Sequence, residues 1–131
     1  MHFKYLIYSV IWSVFMIFVL LIPGDKLPAD QLPIKGFDKI VHFALFFVHY
    51  YIWVIGLIKQ RFFKLIKDKT VKISLFYSVF LALLIEFIQW QFITQRSGDW
   101  MDVLANVLGI SCSYIFFRAV YGKCNNYASY D

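Results

Sequence analysis

The chain has 131 residues, of which 61% are hydrophobic and 21% aromatic, with only 16% charged and a formal net charge of +5. That apolar share exceeds what a soluble globular domain carries, and the length admits a single domain. The basic excess does not point to nucleic acid, because the Lys and Arg residues border apolar runs as they do in a polytopic membrane protein, and two cysteines make no disulfide framework.

Residues 5–22 form an uncharged apolar and aromatic run, long enough for a first helix that crosses the hydrocarbon core. Pro23 and Gly24 end it. The run is too long for the apolar core of a signal peptide and no small-x-small cleavage site follows, so the helix is expected to be retained. Residues 23–38 are a connector, since Pro23, Pro28 and Pro33 exclude a regular helix. Asp38 stands where the N-cap of a second helix, residues 39–58, is expected. In that helix Asp38, His42 and His49 recur at helical spacing and share one stripe. Its aromatic residues, Phe43, Phe46, Phe47, Tyr50, Tyr51 and Trp53, read as packing and lipid-facing groups. Residues 59–72 hold six basic side chains against the single Asp68, the pattern of a short cytoplasmic loop that also contacts anionic lipid.

A third helix over residues 73–93 contains Glu86 as its only charge, a turn follows at 94–98, and a fourth helix runs over 99–121. The uncharged part of the fourth helix, residues 103–117, reaches only about 22 Å against a hydrocarbon core of about 30 Å. Asp99 and Asp102 therefore start near membrane level. Glu86, Gln89 and Ile93 fall at i, i+3 and i+7, and Asp99, Asp102, Asn106 and Gly109 at i, i+3, i+7 and i+10, so each helix presents one polar stripe. Ionisable groups inside a bilayer cost several kcal/mol unless they face the bundle interior and pair. Glu86 is expected to pair with Arg96 or His42, and Gly109 to be a close-packing position.

With residues 59–72 inside, nine of the thirteen basic residues are cytoplasmic and four, Lys26, Lys35, Lys39 and Arg96, are outside. This places both termini in the cytoplasm of a multi-pass protein of the cytoplasmic membrane. The same topology brings Asp38, His42, Glu86, Gln89, Arg96, Asp102 and Asn106 to one depth on the outer side.

Two blocks carry a resemblance. Glu86-x-x-Gln89 followed by Arg96-x-x-Asp99-x-x-Asp102-x-x-x-Asn106-x-x-Gly109, together with Asp38-Lys-Ile-Val-His42, resembles the signature of the VanZ-like family of small bacterial membrane proteins, named for a protein associated with resistance to the glycopeptide teicoplanin. The blocks cover the second half of the chain and one earlier helix start. The resemblance implies an all-α bundle of four transmembrane helices over residues 1–121, with a short polar cytoplasmic tail at 122–131, and a role in the cell envelope.

Two mechanisms fit the polar cluster. In the first, the protein binds a lipid-linked or glycopeptide-like ligand, with Arg96 as the anion contact and Asp38, Gln89, Asp99, Asp102 and Asn106 around it. In the second, it is an enzyme on a phospholipid or lipid-linked cell-wall intermediate, with Glu86 or His42 as acid/base and Arg96 on the phosphate. A third reading is a structural bundle whose function is supplied by partners. No nucleophile constellation or Gly-rich phosphate loop is present, so binding ranks ahead of catalysis. His42, Asp38, Glu86, Asp99 and Asp102 have the donor types of a metal site, but no HExxH or CxxC spacing assigns one. No cofactor and no nucleic-acid partner is expected; the expected partner is a membrane lipid or lipid-linked envelope precursor.

Overall fold

The computed structural model describes residues 4–22, 36–60, 69–93 and 99–121. These residues form four helices, α1 (Lys4–Leu20), α2 (Phe37–Lys59), α3 (Thr70–Phe92) and α4 (Trp100–Tyr121), with no strand among them. Most of the first connector, the centre of the basic loop, the turn carrying Arg96 and the polar tail lie outside the described residues.

Helices α2, α3 and α4 are each long and apolar enough to cross a membrane. Helix α1 is shorter, at 17 residues or about 26 Å. It stops two residues before the expected end, with Leu21 and Ile22 in a closing turn on Ile17 and Val19. Proline at position 23 disfavours the helical conformation for the residue before it. Helix α3 starts three residues earlier than the apolar run suggests and takes Lys72 into its first turns, where the long aliphatic stem tolerates a half-apolar setting.

The distribution of side chains is the reverse of a water-soluble bundle. Ser9, Ser13, His42, His49, Ser74, Ser78, Glu86, Gln89, Asn106 and Ser113 are buried, while Phe18, Phe76, Phe92 and Trp100 lie at 69–75% exposure. Large apolar groups on the outside and hydroxyls, amides and ionisable groups on the inside are what a lipid solvent selects. The interior also holds an apolar core of Met16, Phe46, Tyr50, Ile85, Ile110 and Phe117, and Glu86, Gln89 and Asn106 of the polar stripes read from the sequence face in beside it.

Helix α2 is the centre of the bundle; it packs on α1, α3 and, most extensively, α4. Against α1 the contact is made by small residues. Ser9 Oγ donates toward the Tyr5 and Ile52 carbonyls at 3.1 Å each, and Trp53 Nε1 donates to Ser13 Oγ at 2.8 Å. Against α4 the helices run parallel, since Lys39 meets Asp102, His42 meets Asn106, and Phe47 meets Phe116. Gly109 permits this. A Cβ at that position would collide with the Phe43 carbonyl oxygen, so glycine lets the two backbones touch, as expected for a small residue at a membrane helix crossing.

Asp38 does not cap α2. The helix starts two residues earlier than expected, and its N-cap is Gly36, in the left-handed region at φ 84°. Glycine reaches that conformation without a Cβ penalty. Asp38 then lies inside the first turn, where its charge still complements the helix dipole.

Candidate functional site

The site is built where the N-terminal ends of α2 and α4 meet the C-terminal half of α3. The first layer is organised by Lys39. Its Nζ lies 3.1 Å from Asp38 Oδ2, 2.7 Å from Asp99 Oδ2 and 3.1 Å from Asp102 Oδ1. One ammonium thus serves three carboxylates, two of them on or next to α4. Asp99 precedes α4 and uses its other oxygen to accept from the Met101 amide at 2.9 Å, as a side-chain N-cap does. The hydrogen bond from Lys39 and then the Met101 amide hold the Asp99 carboxyl below the usual carboxylate range.

The second layer lies one turn deeper. His42 Nδ1 is 3.0 Å from Asn106 Oδ1 and 3.3 Å from Glu86 Oε1, and Asn106 Nδ2 donates to the same Glu86 oxygen at 3.0 Å. Both atoms facing Nδ1 are acceptors, so this ring nitrogen carries the proton and Nε2 holds the lone pair when the ring is neutral. Nε2 is buried and has no hydrogen-bond partner. The side chains narrow inward: Asp38 is 49% exposed, Asp99 36%, Asp102 14%, Glu86 8% and His42 2%. The cluster is therefore a polar funnel, wet at Asp38 and closed at His42.

Of the residues named from the sequence, Asp38, His42, Glu86, Asp99, Asp102 and Asn106 meet in these two layers. Glu86 pairs with His42, one of its two expected partners. Gln89 is buried and does something else; its Nε2 donates to the Leu20 carbonyl at 2.6 Å, tying α3 to the end of α1. Arg96 lies outside the described residues. His49 shares the inner stripe of α2 but sits deeper, against Tyr77, Phe46 and Trp53. Cys112 is a free thiol on the exposed side of α4.

Lys39 was not among the residues singled out from the sequence. The signal was present, because Lys39 lies three residues before His42, on the same face as the polar stripe, at the mouth of an apolar helix. Read only as one of four outer basic residues, it looks like a topological marker. The fold makes it the common partner of three acids.

A cavity of about 240 Å³ opens beside the cluster, between α3 and α4. Its walls are Phe87, Trp90, Trp100 and Val103, and Glu86 and Asp99 supply its polar end. Phe87, Trp90 and Trp100 are all more than half exposed. The cavity therefore connects the lipid-facing surface of the bundle with the carboxylates of both layers.

The sequence profile of the VanZ/LLP1 family matches residues 3–121, nearly the whole chain. The chain belongs to this family. A protein of Schizosaccharomyces pombe described as the uncharacterized protein C11E3.10 is 36% identical over 116 residues, spanning 86% of this chain and 67% of that protein. No solved structure matches the chain. The family match extends over all four helices, including α1, which carries neither of the two sequence blocks. The VanZ/LLP1 chain is thus a helical membrane protein whose polar residues converge at one end of the bundle.

Proposed function

We propose that this VanZ/LLP1 protein binds a lipid-linked envelope ligand at the outer leaflet, with the polar head in the funnel and the apolar chain along the outer wall of α3 and α4. The observation that carries this reading is the cavity between α3 and α4, which joins an aromatic wall to Glu86 and Asp99. An amphiphile needs both surfaces at once, and a ligand arriving from the bilayer enters sideways. At about 240 Å³, the cavity lies below the range of about 300–1,000 Å³ that encloses a drug-sized molecule. It suits a head group better than a whole glycopeptide. A role in glycopeptide tolerance would then run through the lipid-linked precursor.

The reading includes an orientation, with both termini cytoplasmic and the funnel facing out, supported by the nine-to-four asymmetry of basic residues. Single-cysteine labelling tests it. An impermeant reagent on intact cells should label Ala29→Cys and spare Lys64→Cys, and the opposite pattern would invert the site.

Mass spectrometry of lipid co-purified with the wild-type protein, Val103→Trp and Glu86→Gln tests the binding. Val103 lines the cavity and is only half-buried, so tryptophan there fills the cavity with little cost to the core. A bound lipid species should be lost from both variants. The same species in equal amount on all three folded proteins would reject the reading.

A second reading rests on His42. A histidine held through Nδ1 by a carboxylate and an amide, with Nε2 free, has the arrangement of an oriented general base. The lipid profile of a deletion strain separates the two. An accumulating precursor indicates a reaction, and an unchanged profile indicates binding.

A further inference from the structure

The charge of the funnel is opposite to what a phosphate-bearing head group needs. Among the described residues of the two layers, Asp38, Asp99 and Asp102 surround the single ammonium of Lys39, and Glu86 adds a fourth carboxylate one layer deeper against His42. Four carboxylates against one cation repel an anion. A counter-charge between a phosphate and these acids would favour its entry.

The geometry provides a place for one. One ring nitrogen of His42, one carboxylate oxygen of Glu86 and one of Asp102 lie within 4.8 Å of one another. Each comes from a different helix, which is why no ligand spacing appears in the sequence. Ligands on one ion with bonds of about 2.1 Å are about 3.0–3.4 Å apart when adjacent and about 4.2 Å when opposite, so the three side chains must draw together to close the set. The carboxylates have spare capacity, because the hydrogen bonds they make to described side chains fall on Glu86 Oε1 and Asp102 Oδ1. The second observation is His42 itself. It is 1% exposed, it sits against both acids, and its Nε2 is buried without a partner. A buried imidazole nitrogen left unpaired costs free energy comparable to a lost hydrogen bond, and a cation coordinated through that nitrogen would remove the cost. Asn106 holds the ring and the Glu86 carboxylate together at 3.0 Å from each, the role an outer-shell partner plays in metal sites.

We propose that His42, Glu86 and Asp102 bind one divalent transition-metal ion at the base of the funnel, leaving open positions for a phosphate oxygen of the ligand. The mixed donor set selects the ion. Carboxylates alone suit Mg²⁺ and Ca²⁺, whereas imidazole with carboxylates suits Mn²⁺ or Zn²⁺. Lys39 stays on Asp99 and the outer oxygen of Asp102, and so bounds the site rather than filling it. The proposal deepens the lipid-binding reading by giving an acidic funnel a means to accept an anionic head group. It can fail independently, because the decisive titration contains no lipid.

The experiment is a Mn²⁺ titration of chelator-treated, full-length protein in detergent, followed by electron paramagnetic resonance. One Mn²⁺ per chain should bind, Zn²⁺ should displace it, and electron spin echo modulation should show an imidazole nitrogen. Glu86→Gln and Asp102→Asn should weaken binding by about tenfold or more, and His42→Gln should abolish the nitrogen signal. Cys112→Ser, on the exposed side of α4 and outside the cluster, should bind as wild type does. Folded wild-type protein that binds neither Mn²⁺ nor Zn²⁺ would overturn the proposal. Binding that persists unchanged in all three ligand variants, or with no nitrogen signal in the wild type, would overturn it as well. Metal binding with no retained lipid would leave the metal site standing and reject the lipid reading.

Discussion

Lys39 Nζ lies 2.7 Å from Asp99 Oδ2, a residue sixty positions further along the chain. This pair closes the mouth of the bundle, because the same ammonium also holds Asp38 and Asp102. Removing it leaves three carboxylates facing one another, the deepest of them 14% exposed. Lys39→Met should therefore destabilise the protein by about 1–3 kcal/mol, between the effect of an exposed pair and that of a buried one. Thermal unfolding in detergent measures this, with Lys72→Met as the control on an exposed lysine of α3. Equal melting temperatures for the two variants would show that the acids do not depend on Lys39.

The Asp99 carboxyl gives this layer a pH dependence. Its folded-state pKa is lowered by the Lys39 hydrogen bond and then by the Met101 amide. A group with a depressed folded pKa contributes stability that is fully present above its unfolded pKa of about 3.9 and is lost as pH falls through the lower folded value. The stability difference between wild type and Asp99→Asn should thus be constant from neutral pH down to about pH 5 and should shrink in more acidic buffer. A difference that grew on acidification would mean that Asp99 is not the favoured anion of the pair.

Much of this arrangement could be read from the sequence, and the exceptions have physical causes. The stripes at Glu86–Gln89 and Asp99–Asn106 were legible because helical periodicity survives inside an apolar run, where each polar residue stands out. Gly109 was legible because a glycine on the polar stripe of a membrane helix has few uses besides close approach. The cap of α2 was not, because Gly36 acts through its left-handed backbone, and a nearby Asp offers a more familiar signal. Gln89 points to α1 instead of the cluster, since spacing fixes a face but not which of two neighbours that face meets. The grouping of His42, Glu86 and Asp102 is a property of three helices together, which no spacing within one helix reports.

The contact between Gly109 and Phe43 sets the register that aligns Lys39 with Asp102 and His42 with Asn106. Gly109→Ala places a Cβ against the Phe43 carbonyl oxygen, a backbone atom that cannot rotate away. Overpacking of this kind costs about 1–3 kcal/mol. The melting temperature should fall, and lipid retention should fall with it, because separation of α2 from α4 opens both layers. Gly36→Ala is the comparison; its new Cβ would meet only Lys39 Cδ, at an ordinary contact of 4.0 Å, but at a strained φ of 84°. Its loss should be about 1 kcal/mol, with the site intact. Lipid retention unchanged in Gly109→Ala would separate the site from the α2–α4 register.

Glu86 separates fold from function. Its Oε1 accepts from Asn106 Nδ2 and faces His42 Nδ1, and the side chain is 8% exposed. Glutamine keeps the shape and an oxygen acceptor for both neighbours while removing the charge. If the bundle relies on a charged His42–Glu86 pair, Glu86→Gln strands a buried cation, and stability should fall by about 3–5 kcal/mol. If the cluster is a working site, where function keeps charge that stability does not need, stability should hold or rise. We expect the second outcome: a melting temperature at or above that of wild type, with the co-purified lipid lost. Arg96→Lys is the companion variant, because lysine keeps the charge but loses the planar fork that grips a phosphate. It should weaken lipid retention at unchanged protein abundance. Wild-type retention and an unchanged phenotype in both variants, at equal abundance, would remove Glu86 and Arg96 from the working residues and leave the cluster as a device for holding three helices together.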